Sequence, residues 1–362
     1  MAKSAVDVIG SAFDHTRQQL TQPFRFGQWA RLALLGLATG EISSGGGCNF
    51  HGLGDLPSKL HRQTEYFGDP SNPLSRLGLD WAAIASILVV AIVGFIILGL
   101  VWVYVASISR FVLFESVLRK HCELGAGWQR WQGQGMRFFG WQLALSAVSL
   151  AVAAILFLPL LLPVLATMRN HQEPGPGILL ALLPMILVFG VFAVAMMLIA
   201  VLAKDFVVPL MAIDNIGVIE GWRRLFGMMK QDGLNYAGYI GMKIILNIGA
   251  AVLFGILSFI VALIVGIPVG IVAVIVIIAA KGVGLTWNVF TITAAVVTAL
   301  ILFAILLYLV ALVCVPVAVF FPAYAIYFFA ERYPALQAQL FPPPPAPSPP
   351  LPPLPPTPEP IG

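Results

Sequence analysis

Four side chains that can bind a transition metal lie close together near the amino end of the chain. Cys48 and His51 are three positions apart, and Asp55 and His61 follow within ten residues of His51. Thiolate and imidazole groups are ligands that zinc and copper accept. A structural zinc site needs tighter ligand pairs than this spacing provides. The sequence therefore favours a flexible glycine-rich loop here, with no resident metal and no cofactor.

Ionisable residues elsewhere are few and stand near the ends of apolar segments. Glu115, Asp205 and Asp214 are at such ends, where charged groups reach water or lipid headgroups. Lys243 and Asn247 are four positions apart, so inside a helical bundle they would share one helix face and could mark a polar pathway. No paired carboxylates, Ser-His-Asp order or His-Glu-x-x-His pattern occurs. We expect a protein that is not an enzyme.

The elements that position these residues are transmembrane helices. Of 362 residues, 59% are hydrophobic and 10% are charged, and the mean hydropathy is +0.94. Soluble domains carry about 45–50% apolar and about 25% charged residues, which excludes a single water-soluble core. The net charge is only +4 and the basic residues are scattered, which argues against nucleic-acid binding. The fold class is an all-α, polytopic transmembrane helical bundle.

Hydropathy predicts six transmembrane spans. Five uncharged segments are long enough to cross a bilayer unaided: 81–108, 141–168, 178–203, 244–265 and 291–315. The sixth, Leu32–Gly40, is short. The apolar stretch 244–265 is followed by three helix-disfavouring residues, Gly266, Pro268 and Gly270, and then by ten more apolar residues, Ile271–Ala280. We interpret Ile271–Ala280 as a re-entrant or packed half-helix. If it crossed the membrane, there would be seven spans.

The distribution of Lys and Arg predicts the orientation. Residues 1–31 hold four, 109–140 hold five and 204–243 hold five, and with Arg332 these make fifteen of the twenty. The positive-inside rule then places the amino terminus in the cytoplasm, provided that Leu32–Gly40 crosses the membrane. The predicted topology is multi-pass.

Three regions are expected along the chain. Residues 1–23 form an interfacial amphipathic helix with a capping box at Ser4 and Asp7 and an apolar face built from Val6, Ile9, Phe13 and Leu20. Residues 24–335 form the transmembrane domain, with an outer loop at 42–80. Residues 336–362 form a proline-rich disordered tail, and thirteen of its last twenty-one residues are proline. The tail is either a stiff solvated segment or a ligand for a partner protein.

An internal repeat relates two basic segments between the spans, residues 109–140 and 204–243, which we call the connectors. Four residues of the first connector match four of the second at one offset of 94 positions: Arg110, Gly127, Trp128 and Arg130, and Lys204, Gly221, Trp222 and Arg224. Both connectors fall on the same predicted side, so the halves, roughly 81–177 and 178–335, form a parallel repeat rather than an inverted one.

Tryptophan and arginine in these connectors are candidates for an interface with lipid or a partner protein. Tryptophan favours the headgroup level and arginine can bind phosphate. The candidate residues are Trp29, Arg31, Trp128, Arg130, Trp222 and Arg224. The alternative is that they only position the spans.

The chain resembles an uncharacterised family of bacterial multi-pass membrane proteins. The resemblance lies in the segments Pro23–Leu32 and Ser44–Phe50 and in the two Gly-Trp connectors. That family is distantly similar to the membrane domain attached to some glycerophosphodiester phosphodiesterases. The resemblance covers most of residues 1–335 and implies a multi-pass membrane domain in the inner (cytoplasmic) membrane of a bacterium. The phosphodiesterase catalytic domain has no counterpart here, so the resemblance implies no catalytic residue.

These observations favour a non-catalytic membrane scaffold or accessory subunit whose partners are membrane lipids and a protein bound through the tail or the connectors. The alternative is a transporter or channel for a small or lipid-like solute, which requires a polar cavity between helices. A membrane-embedded enzyme ranks third and would require a cluster of ionisable side chains lining one pocket.

Overall fold

A computed structural model describes residues 4–44, 81–169, 176–282 and 289–341, and all regular structure in these ranges is helical. The elements in chain order are α1 (Asp7–Thr21), α2 (Phe26–Thr39), α3 (Glu41–Ser44), α4 (Trp81–Leu118), α5 (Leu124–Arg169), α6 (Pro176–Leu202), a π-helix (Ala203–Val207), α7 (Val208–Asp214), α8 (Val218–Gly282), α9 (Val289–Val313), α10 (Val315–Ala330) and α11 (Pro334–Leu340).

Five helices in the described part of the chain are long and apolar enough to cross a membrane. They cover Leu88–Leu118, Leu124–Leu158, Pro184–Asp214, Val218–Ala280 and Phe290–Val313. Each contains or overlaps one of the five long spans predicted from hydropathy, and together they indicate a membrane-spanning protein. The short predicted span, Leu32–Gly40, falls in α2, whose 14 residues extend about 21 Å and which is not among the five.

The helix α8 corrects one prediction. Ile271–Ala280 is not a separate half-helix, because α8, after a kink at Asp232, is continuous from Gly233 to Gly282. Pro268 lies inside it, and the one non-helical residue is Asp232, much earlier in the chain. A proline removes one backbone hydrogen bond, and the long apolar stretches on both sides keep the helix intact.

The helices divide into a compact core and apolar arms. Buried apolar residues fall within residues 5–42, 106–138, 202–239 and 310–336. Phe206, at the centre of the core, contacts the rings of Tyr236, Tyr239, Phe328 and Phe329 at centroid distances of 5.1 to 6.0 Å. The remaining parts of the long helices expose their apolar side chains, as expected for arms surrounded by lipid rather than water.

The helix α1 packs against α10 and begins as predicted. The Ser4 backbone N–H donates to Asp7 Oδ2 (3.0 Å) and the Asp7 N–H donates to Ser4 Oγ (3.4 Å), which forms the capping box. Of the residues expected on its apolar face, Val6 and Phe13 are exposed and Leu20 is buried in the core. The buried face of α1 also carries polar side chains, and two of them, His15 and Gln19, form hydrogen bonds to α4.

Side chains of α1 and α2 cap the carboxyl end of α4. The last carbonyl groups of a helix have no partner within the helix. Here two of these carbonyls, and two more in the turn just beyond Leu118, accept hydrogen bonds from side chains about 90 to 100 positions away in the sequence. The pairs are Gln19 Nε2 to Ser116 O (3.0 Å), His15 Nε2 to Val117 O (2.8 Å), Gln28 Nε2 to Lys120 O (3.0 Å) and Arg31 Nη1 to Cys122 O (3.1 Å).

This cap predicts that stability depends on pH through His15. Burial lowers the pKa of His15 below its ordinary value of 6.5, and the nearby positive charge of Lys120 lowers it further, while the hydrogen bond to the Val117 carbonyl opposes the shift. The unfolded chain therefore binds this proton more readily than the folded protein. Stability from this group is fully present above about pH 6.5 and is lost as the pH falls below it, by at most about 1.4 kcal/mol per pH unit.

The measurement is the melting temperature of the detergent-solubilised protein between pH 7.5 and pH 5. We expect the wild type to lose more thermal stability over this range than His15→Gln, which keeps a hydrogen-bonding side chain but does not titrate. Equal slopes for the two proteins would show that the buried imidazole does not contribute.

Two predicted regions extend beyond the described residues. The expected disordered tail, 336–362, begins inside α11, so residues 336–340 are helical, and Leu336 is buried in the core. The proline-rich residues 342–362 lie outside the described residues. The same holds for the candidate metal ligands Cys48, His51, Asp55 and His61.

Candidate functional site

A cluster of charged side chains lies where α3, α4, α8 and the π-helix approach one another. Lys204 Nζ binds Glu41 Oε2 at 3.0 Å, and Lys243 Nζ binds Asp205 Oδ2 at 2.5 Å. None of these four side chains is more than 14% exposed. Buried charges are stabilised when they are paired, so the two ion pairs hold α3 and α8 to the π-helix.

The local backbone explains how neighbouring residues reach different partners. Lys204 and Asp205 belong to the π-helix, a form that is often found at functional sites. Pro209 has no N–H to offer the Asp205 carbonyl, which favours irregular helix geometry in this turn. Gly40 ends α2 with φ of +73°, a conformation that glycine adopts without strain, and so turns the chain toward Glu41.

Aromatic side chains complete the surroundings of the Asp205–Lys243 pair. Tyr239 Oη donates a hydrogen bond to Asp205 Oδ2 at 3.0 Å. Lys243 Nζ lies 5.9 Å from the centre of the Tyr239 ring and 5.8 Å from that of Phe321, within the range of cation–π attraction. The acid thus accepts two hydrogen bonds, and the base faces two aromatic rings.

Arg110 supplies a third positive charge and belongs to neither ion pair. Its Nε is buried without a hydrogen-bond partner among the described residues, and its guanidinium lies 5.7 Å from the centre of the Phe138 ring. Arg110 borders a small cavity that it shares with Glu41, Lys204 and Asp205. Three cations against two anions leave the cluster with one excess positive charge.

A larger cavity of about 480 Å³ opens beside this cluster. Its polar lining includes Glu41, Arg110, Lys204, Lys243 and Asn247. Its apolar lining comes from α6 and α8: Val194, Met197, Leu198, Ala200, Val201, Ile240 and Ile244. Lys243 and Asn247 therefore share the helix face that their spacing predicts, and this face borders the cavity.

The ionisable groups that line the cavity are mostly held in ion pairs. Among the described residues of its lining there is no histidine, cysteine or serine, and the Thr39 hydroxyl donates to the Leu35 carbonyl of its own helix. Both acids are held in ion pairs with lysine. Among the described residues, no group of three His, Cys, Asp or Glu side chains is placed to hold a metal ion.

The predicted interface tryptophans pack against the core. Trp29 Nε1 donates to the Leu312 carbonyl at 2.8 Å. The ring of Trp128 lies edge-on to Tyr104 at 6.1 Å, and that of Trp222 lies 6.0 Å from Trp141. All three tryptophans are half-buried, so they position helices and still present part of each ring at the surface.

The predicted interface arginines bind protein groups. Arg31 caps the Cys122 carbonyl. Arg130 forms an ion pair with Glu115, which also accepts a hydrogen bond from Trp131 Nε1 at 2.5 Å. Arg224 forms ion pairs with Asp214 and Glu220, and the Arg130 and Arg224 side chains remain 48% and 43% exposed.

Comparison with known proteins gives one match. A family of unknown function, DUF7544, matches residues 3–338. The chain belongs to this family. No curated protein and no solved structure matches it. The expected similarity to the membrane domain of glycerophosphodiester phosphodiesterases therefore finds no support, whereas membership of an uncharacterised family is confirmed.

Sequence reasoning did not identify the charged cluster. The sequence pattern places Arg110 and Lys204 in the connectors and indicates no role for Glu41 or Tyr239. The available signal was the presence of Arg110, Lys204, Asp205 and Lys243 inside or beside long apolar helices, where an ionisable residue requires a partner. The partners themselves are far apart in sequence, and only the fold brings them together.

Proposed function

We propose that this protein is a non-catalytic, multi-pass membrane protein that acts as a scaffold or accessory subunit and contacts lipid or a partner protein through its basic connectors. The observation that carries the proposal is the division of the chain into exposed apolar arms and one compact core. The connectors emerge at that core and carry Arg130 and Arg224, each held by an acid and each nearly half exposed. A fixed, half-exposed arginine is suited to bind a phosphate or carboxylate.

The proposed topology has six spans, a cytoplasmic amino terminus and a bacterial inner-membrane location. The sixth span is α2, whose residues Leu32, Ala33 and Leu35 are buried against other helices. The count of Lys and Arg supports this orientation. Exposed Phe13, Phe24 and Phe26 lie near the basic amino-terminal residues, as expected for side chains at the level of the headgroups.

The topology is testable by cysteine labelling. Gln129→Cys and Arg223→Cys place an exposed thiol in each connector of a chain that lacks its native cysteines. A membrane-impermeant maleimide is expected to label both in inverted inner-membrane vesicles and neither in intact spheroplasts. Labelling from opposite sides would overturn the proposed topology.

The scaffold role is tested by co-purification in mild detergent. We expect a stoichiometric partner to accompany the full chain and to be lost after deletion of 342–362 or after replacement of the exposed connector cations. If only this chain is recovered from every preparation, the scaffold role is wrong.

We also propose that the two halves, 81–177 and 178–335, are a parallel repeat. The same contact supports this in both connectors: a Cβ on Gly127 would lie 3.0 Å from Val112 Cγ1, and one on Gly221 would lie 3.0 Å from Val207 Cγ1. Equivalent turns also support it, because Lys120 (φ 56°) and Asn215 (φ 54°) adopt the same left-handed conformation 95 positions apart.

The repeat predicts equal responses to one substitution. We expect Gly127→Ala and Gly221→Ala each to destabilise the protein by about 1 kcal/mol, because the added methyl group crowds the facing valine. Combination with Val112→Ala or Val207→Ala should remove this cost, as measured by a double-mutant cycle of melting in detergent. Gly125→Ala, where a Cβ meets nothing within 4 Å, is the control and should not destabilise. Coupling in only one connector would contradict the proposed equivalence.

A second candidate function, transport of a small or lipid-like solute, is favoured by the cavity of about 480 Å³ between α6 and α8. It predicts that protein reconstituted in liposomes accelerates the exchange of a fluorescent phospholipid between leaflets. Exchange at the rate of protein-free liposomes would exclude lipid transport.

A further inference from the structure

The cavity beside the charged cluster has one charged wall and one apolar wall. One side carries the surplus positive charge of Arg110, Lys204 and Lys243 over Glu41 and Asp205. The other is apolar and continues onto α6 and α8, where Val194, Met197 and Ile244 are roughly half exposed. A ligand that satisfies both walls has an anionic head and an apolar chain.

We infer that this cavity binds the headgroup of an anionic phospholipid, with an acyl chain along α6 and α8. Arg110 is the residue that binds the headgroup, because it is the cation of the cluster that belongs to neither ion pair. Its planar guanidinium is also suited to bind phosphate. The buried Nε without a partner marks a donor that such a ligand could satisfy directly or through water.

Size and position agree with this ligand. A volume of about 480 Å³ lies within the range of about 300–1,000 Å³ that is typical of small-molecule sites. The cavity holds a headgroup and the first part of a chain, and the remainder of the lipid would lie along the exposed apolar arms. The site uses Arg110 and Lys204 at the start of each connector but not the exposed Arg130 and Arg224, so the inference rests on the membrane location and not on the scaffold role.

The test is native mass spectrometry of the full chain in detergent, titrated with phosphatidylglycerol, phosphatidylcholine or inorganic phosphate. We expect phosphatidylglycerol to bind at least tenfold more tightly than phosphatidylcholine. Arg110→Gln should weaken phosphatidylglycerol binding at least tenfold, whereas Lys230→Gln, which removes an exposed cation from α8, should not change it.

A second pair of variants tests the apolar wall without altering charge. Ala200→Trp fills the cavity and should abolish binding of phosphatidylglycerol, whereas Ala195→Trp, at an exposed position of α6 that does not line the cavity, should leave it intact. Equal binding of the two phospholipids, or unchanged binding in Arg110→Gln and Ala200→Trp, would overturn the inference. Displacement by inorganic phosphate at an equal concentration would reassign the site to free phosphate and also overturn the lipid assignment.

Discussion

Asp205→Ala is expected to destabilise the folded protein by about 3–5 kcal/mol, the cost of removing one partner from a buried ion pair. Asp205 and Lys243 are only 6% and 7% exposed, so the lysine would be left without its acidic partner in a site that water reaches poorly. Tyr239 would also lose the acceptor of its hydrogen bond. The measurement is thermal unfolding in detergent, followed by the loss of monodisperse protein on size-exclusion chromatography.

A compensating variant separates the effect of charge from that of volume. Asp205→Ala combined with Lys243→Met removes both charges and should recover a large part of the lost stability, because paired buried charges contribute less than the penalty of leaving one alone. Glu220→Ala is the matched control: its side chain is 44% exposed, and surface ion pairs contribute about 0–1 kcal/mol. A double variant as unstable as Asp205→Ala would show that the acid acts through something other than its charge.

Gly135→Ala is expected to destabilise the protein by about 1–3 kcal/mol through overpacking between α4 and α5. A Cβ at this position would lie 2.5 Å from Ile108 Cγ1 and 3.0 Å from Ile108 Cα, so the backbone as well as the side chain would have to move. Ile108 is fully buried and has no free space to occupy. The expected result is a lower melting temperature together with a smaller yield of monodisperse protein.

The control for this prediction lies two residues away on the same helix. Gly133→Ala meets nothing within 4 Å at an exposed position, so the gain in helix propensity should stabilise the protein by roughly 0.5–1 kcal/mol. Opposite signs for the two substitutions would identify the close approach of α4 and α5 as the cause. A loss of stability in both would point to helix flexibility in this region instead.

The sequence by itself determined the class of protein and most of its helices. An apolar segment of about 20 residues is stable in lipid because all its backbone hydrogen bonds close within the helix, so hydropathy alone locates it. The five long spans were therefore predictable, and so was the capping box of Ser4 and Asp7, which involves residues three positions apart. These are all local properties of the chain.

Only the tertiary structure decided where the charges meet. Lys204 and Glu41 are 163 positions apart and Asp205 and Lys243 are 38 apart, so no local pattern identifies the partners. Composition likewise did not show that α1 turns a polar face toward α4, since the reason is the unpaired carbonyl groups at the end of that helix. A cavity with one excess positive charge exists because these distant residues fold into one place.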